Sequence, residues 1–85
     1  MASIRIPMPL RKLTNEVDVV NTDAQSLSEA VERLESDFPG IKERIVDETG
    51  QIRRFVNIYV NGEDVRFLDN LATALKPGDE VSIVP

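Results

Sequence analysis

The sequence predicts an α+β fold in which one long helix lies across one face of a mixed sheet. Three observations predict it. Residues 27–38 carry the chain's one long amphipathic stripe. Short alternating or β-branched runs recur on both sides of that stripe. Residues 55–67, FVNIYVNGEDVRF, place two such runs around Asn61-Gly62. That dipeptide is the strongest short hairpin signal, because a type I′ turn needs positive φ at both central residues.

The elements are taken in chain order. Ser3-Ile4-Arg5-Ile6-Pro7 alternates and reads as a strand with Ile4 and Ile6 inward. Pro7 and Pro9 stop it, since each removes a backbone donor. Residues 8–15 form a loop whose Leu10 and Leu13 tuck back onto the core. Residues 16–20 read as a second strand, antiparallel to the first, and residues 21–25 as a turn. Ser26-Leu27-Ser28-Glu29 is a capping box: Ser26 can accept from the third helical N–H, and Glu29 can reach back to the cap. Leu27, Ala30, Val31, Leu34 and Phe38 then form one helical stripe, with Glu29 and Arg33 paired on the wet side. Pro39-Gly40 ends the helix.

Residues 40–47 allow one helical turn with Ile41 and Ile45 inward, and residues 48–51 a turn. In the hairpin, Val60 should face Glu63, Ile58 face Val65, and Val56 face Phe67. A one-residue slip would break the apolar match, so pattern and turn specify one register. The expected core face is Val56, Ile58, Val60, Val65 and Phe67; the open face is Phe55, Asn57, Tyr59 and Arg66. Residues 68–75 suit a 3₁₀ turn anchored by Leu71 and Leu75. Lys76-Pro77-Gly78-Asp79 is a turn, and residues 80–84 are the last strand, with Val81 and Ile83 inward and Ser82 and Val84 outward. Placing that strand centrally and parallel to the first gives a β-grasp, or ubiquitin-like, arrangement in one domain over residues 1–85.

Composition excludes more than it suggests. The 85 residues, 41% hydrophobic, hold one small core. There is no cysteine and no histidine, so thiol chemistry and the commonest neutral-pH acid–base group are absent. The net charge of −5 disfavours nucleic acid and anionic membrane and favours a basic protein partner. No apolar run approaches a membrane span and the N-terminus has no signal-peptide pattern, so the cytoplasm is expected.

Candidate chemistry is sparse. Asp47-Glu48 and Asp79-Glu80 lie in turns rather than in a cleft, so they read as surface pairs and no metal is expected. The four glycines stand singly, so no phosphate loop exists. Ser26 and Ser28 lack a base and read as helix-start residues. Arg53-Arg54 reads first as a solvated strand entry before the hairpin and second as a binding site. Phe55 and Tyr59, joined by outward Val84, form an apolar patch on the open face; such a patch is either a protein-binding surface or one shielded by a loop.

The hairpin RFVNIYVNGEDVRF, the LATAL behind it, the closing KPGDEVSIVP, the FPG after the helix and the early IP and LR together resemble the MoaD/ThiS-type sulfur carriers. The likeness covers nearly the whole chain and is nearest to the CysO-type carriers of cysteine synthesis. It implies a carrier rather than an enzyme, with no bound cofactor. In that family an E1-like enzyme uses ATP to adenylate a terminal Gly-Gly carboxylate, which becomes a thiocarboxylate and gives its sulfur to an acceptor of the cysteine synthase type. Glycine suits a tail that threads a narrow tunnel. The sequence here stops at Pro85, before the Gly-Gly of the family pattern; the expectation is that the natural chain continues to it. Val84 and Pro85 would then be the base of the tail, and Phe55, Tyr59 and Val84 the partner contacts. The alternatives are a carrier for molybdopterin or thiamin synthesis, and a ubiquitin-like module that binds by its sheet and carries nothing.

Overall fold

The computed structural model describes residues 1–85. Five strands form one mixed sheet in the order β2-β1-β5-β3-β4. β1 is Ala2–Arg5, β2 Val19–Thr22, β3 Asn57–Val60, β4 Glu63–Asp64 and β5 Glu80–Val84. β5 is central, parallel to β1 and antiparallel to β3. Helices α1 (Leu27–Asp37) and α2 (Lys42–Ile45) belong to the connection between the two hairpins. This is the β-grasp topology expected from the element order.

α1 forms where the capping pattern places it. Ser26 is extended and its hydroxyl accepts from the Glu29 N–H at 3.2 Å. Glu29 does not reach back to the cap; its carboxylate takes the Arg33 guanidinium instead, because the charged partner one turn on offers the stronger bond. Leu27, Ala30, Val31 and Leu34 are buried and Phe38 packs at the margin. They meet Ile4, Ile58, Val81 and Ile83 from the inner face of the sheet in one core cluster. Glu35 closes the helix junction in a way the pattern did not announce. Its carboxylate accepts from the N–H groups of Gly40 and Lys42, seating α2 beside α1 so that Ile41 and Ile45 are fully buried.

Two expected boundaries move. The second strand begins at Val19 rather than at 16 and runs through Asn21 and Thr22, which were expected in a turn. Residues 11–17 are held in tight turns instead. The Glu16 N–H donates to the Arg11 carbonyl, Thr14 is buried with its hydroxyl on the Val17 carbonyl, and Asn15 and Glu16 take positive φ. Alternation at 16–20 mimicked a strand, but the ladder pairs Arg5 with Val19 and Ala2 with Thr22.

The second correction concerns the hairpin. Asn61 and Gly62 have φ of 52° and 86°, as a type I′ turn requires, and Val60–Glu63 and Tyr59–Asp64 pair in the expected register. Pairing then stops. The Asp64 side chain accepts from the Arg66 N–H at 2.9 Å and starts a 3₁₀ turn over Val65–Phe67. The period changes from two to three residues, so Val65 stays buried while Phe67 is 87% exposed. Phe67 is therefore not core, and the Ile58–Val65 and Val56–Phe67 strand pairs do not form. Val56 is buried without that partner.

Candidate functional site: the open sheet face and the end of the last strand

The outer face of the sheet carries one continuous row across the strands. Val19 lies opposite Arg5, Arg5 opposite Ser82, Ser82 opposite Tyr59, and Tyr59 opposite Asp64. The inward residues of the opposite parity share one buried core with the apolar stripe of α1, so the helix covers the other face of the sheet. Tyr59 is half-buried and Ser82 likewise, whereas Val19 and Arg5 are exposed. Arg5 and Ser82 were not singled out from the sequence. The antiparallel β3–β5 register sets Ser82 beside Tyr59 and the parallel β1–β5 register sets Arg5 beside Ser82, and no local pattern encodes a register between strands so far apart in sequence.

The next row joins Val84 of β5 to Asn57 of β3. Val84 is 44% exposed, and it sits diagonally from Tyr59 across the β3–β5 ladder. Tyr59 and Val84 are thus neighbours on one open face. Phe55 is not on that face as a strand residue. The Val56 N–H donates to the Arg53 carbonyl, so residues 53–56 form a turn before β3 begins. Phe55 sits at its tip, 82% exposed, with the Arg54 guanidinium 5.9 Å from the ring centre.

Arg66 fixes the outer edge of this region. Its guanidinium donates to Asn57 Oδ1 at 2.9 Å, to the Val56 carbonyl at 2.7 Å and to the Arg53 carbonyl at 3.0 Å. These acceptors lie where a longer β4 would have passed, so one planar fork replaces the missing ladder. The expected register set Arg66 opposite Asn57 on the wet side, as the Asn57 bond bears out; the bonds to the Arg53 and Val56 carbonyls were not read from the sequence.

Pro85 comes after Val84 at the exposed end of the central strand. Proline has no N–H to donate, so the ladder has no way to continue through it. A shallow groove of about 300 Å³ adjoins this end, lined by Arg5, Pro7, Arg11, Asp18, Val19 and Val84 among others. A larger cleft, about 680 Å³, lies elsewhere, between Glu35, Lys42, Asp47 and Arg53. Two of its carboxylates are already committed to hydrogen bonds. The Glu35 carboxyl is kept below the usual carboxylate range by the Lys42 and Gly40 N–H groups. Asp47 is kept below it by the Thr49 hydroxyl first and the Gln51 N–H next. The exposed strand end, not the larger cleft, is the functional candidate.

A small open-faced β-grasp domain with the end of its central strand exposed defines a ubiquitin-like protein that presents that strand end. The chain belongs to the ThiS family, whose pattern it matches over residues 4–85. It is 44% identical over 85 residues to the sulfur carrier protein CysO of Mycobacterium tuberculosis, covering 98% of this chain and 91% of that one. The crystal structure of that organism's CysO superposes with a TM-score of 0.94 at 42% identity, covering 100% of this chain and 98% of the other. A chain of the crystal structure of the Amycolatopsis orientalis BexX/CysO complex superposes with a TM-score of 0.95 at 38% identity, covering 100% and 94%.

Proposed function

We propose that this protein is a sulfur carrier serving cysteine biosynthesis, and that it acts as a co-substrate rather than as a catalyst. The observation that carries this reading is the exposed end of the central strand, where Pro85 follows Val84, in a chain 44% identical to a sulfur carrier over nearly its full length. The reactive group in this reading is the carboxylate of a terminal Gly-Gly. An E1-like enzyme joins that carboxylate to AMP from ATP and releases pyrophosphate. A sulfur donor then displaces AMP and leaves a thiocarboxylate. An acceptor enzyme of the cysteine synthase type takes the sulfur. Cytoplasmic residence fits the ATP requirement, and no helix is long and apolar enough to cross a membrane.

Tyr59, Val84 and Phe55 are the contacts proposed for these enzymes. Support comes from the adjacency of Tyr59 and Val84 on the open face and from the exposure of the Phe55 ring. Other biosynthetic acceptors fit the same scaffold, since the acceptor sets the pathway.

The test appends a small-residue tail ending in Gly-Gly and supplies ATP, the organism's adenylating enzyme and a sulfur donor. Pyrophosphate release and the mass gain of one oxygen replaced by sulfur are expected. A tailed chain that gains no mass with an enzyme active on another carrier overturns the reading and leaves a ubiquitin-like binding module.

A further inference from the structure

We propose that the corner built from Phe55, Phe67, Arg54 and Arg66 docks on the acidic rim of the adenylating enzyme's pocket, the one that receives the chain's tail for activation. The proposal rests on the carrier reading above and adds the surface and chemistry of recognition. The two phenylalanine rings are 82% and 87% exposed, whereas the other aromatics, Phe38 and Tyr59, are half-buried. Exposed aromatic rings beside arginines have the composition of an interface centre, where these residue types supply most of the binding energy.

Charge selects the occupant. The chain carries a net charge of −5, yet this corner concentrates arginine. The ion pairs of the structure lie on the helix side: Arg33 with Asp23 and Glu29, and Lys42 with Glu32. Arg53, Arg54 and Arg66 have no carboxylate within ion-pair distance. Arg66 donates to an amide oxygen and two carbonyls, all neutral. Arg53 donates to the Glu43 carbonyl. Arg54 stacks on Phe55. Asp64, beside the corner, is committed to the Arg66 backbone N–H. A positive, aromatic corner on an acidic protein complements a negative rim with apolar slots.

Position ties the corner to the tail. Asn57 is the strand partner of Val84 and the anchor of the Arg66 fork, and Phe55 lies two residues before it. An enzyme that encloses the tail beyond Pro85 therefore brings its rim against this corner.

The test is calorimetry and stopped-flow binding of the full chain to the organism's adenylating enzyme at low and high salt. Phe67→Ser should weaken binding about tenfold or more while its melt matches wild type, since the ring is in water. Arg54→Glu should slow association about tenfold at low salt and flatten the salt dependence. Wild-type binding with both variants within about twofold of it overturns the corner. Loss in Phe67→Ser with an unchanged salt dependence in Arg54→Glu overturns the acidic rim. No binding by wild type overturns the carrier reading, and this inference with it.

Discussion

The Asn61 side chain joins the hairpin turn to the start of the central strand through Asp79, 18 residues away. Its Nδ2 donates to Asp79 Oδ1 at 2.9 Å, while its Oδ1 accepts from the Glu80 N–H at 2.9 Å. The Asn61 N–H donates to the Glu80 carbonyl as well. Asp79 in turn accepts from the Lys76 N–H and shapes the turn that aims β5. The residue that gives the type I′ turn its backbone thus also registers β3 against β5. Asn61→Gly keeps the positive φ and deletes the side-chain bonds. It should cost about 1 kcal/mol in urea unfolding, and its effect should be smaller in an Asp79→Ala background, where only the bond from the Glu80 N–H is left to lose. Full additivity in that cycle would show the contact to be passive.

The same carboxylate makes stability depend on pH. Asp79 is held below the ordinary aspartate range, first by the Lys76 N–H and next by the Asn61 amide. Glu35 and Asp47 are lowered by their own N–H and hydroxyl donors. A carboxyl with a depressed folded-state pKa binds its proton more readily when unfolded. The stabilisation is therefore complete above the unfolded value, near 4, and is lost as pH falls through the folded one. The urea midpoint should be flat from neutral pH down to about 5 and fall below that. Asp79→Asn should start lower and fall less steeply; a parallel curve would remove Asp79 from the acid-sensitive set.

Strand parity gives a sharper stability contrast. Ile58 is fully buried opposite Ile83, while Tyr59, next in sequence, faces outward opposite Ser82. Ile58→Ala should cost about 2–5 kcal/mol. Tyr59→Ala should cost well under that and instead weaken enzyme binding by more than about 1 kcal/mol. Equal losses in denaturant melts would contradict the face assignment.

Most of the architecture could be read from local chemistry. Ser26 set the helix start, Pro39-Gly40 its end, and Asn61-Gly62 the hairpin register, because each acts within a few residues of itself. The errors arose where a side chain outside the pattern intervened. Asp64 captured the Arg66 N–H and converted a strand into a 3₁₀ turn, which binary alternation does not encode. Thr14 and the positive-φ pair Asn15 and Glu16 delayed β2 in the same way. Of the candidate site, Tyr59 and Val84 were readable from parity. Ser82 was readable as outward in the same way and the parallel placement of β5 beside β1 was expected, but the registers that align Arg5, Ser82 and Tyr59 in one row are set between distant strands.

The Asp64-induced turn separates two hydrophobic residues that alternation would have buried together. Val65 is fully buried and Phe67 is in water. Val65→Ala should cost about 1.5–3 kcal/mol, whereas Phe67→Ser should leave the melting temperature unchanged. Asp64→Ala should lower stability by about 0.5–2 kcal/mol through loss of the cap. A large loss in Phe67→Ser would place its ring back against the core.

Arg66 couples this turn to the end of the central strand, which gives it a consequence beyond stability. Its fork holds the Arg53 and Val56 carbonyls and the Asn57 side chain, and Asn57 lies opposite Val84. Lysine has the charge without the planar fork and lacks the geometry to serve all three acceptors. Arg66→Lys should therefore destabilise nearly as much as Arg66→Ala, by about 1–3 kcal/mol. The damage should also be directional. Amide exchange should quicken at residues 56–58 and 83–84, at the tail end of the β3–β5 ladder. It should stay slow at Val60 and Val81, near the Asn61 clasp at the other end. A tailed Arg66→Lys chain should then be adenylated with a raised KM and a nearly unchanged kcat, because the group that reacts is intact and only its presentation is loosened. Uniform exchange along the ladder, or rescue of stability by lysine, would show that Arg66 acts as a surface charge and not as the brace of the strand end.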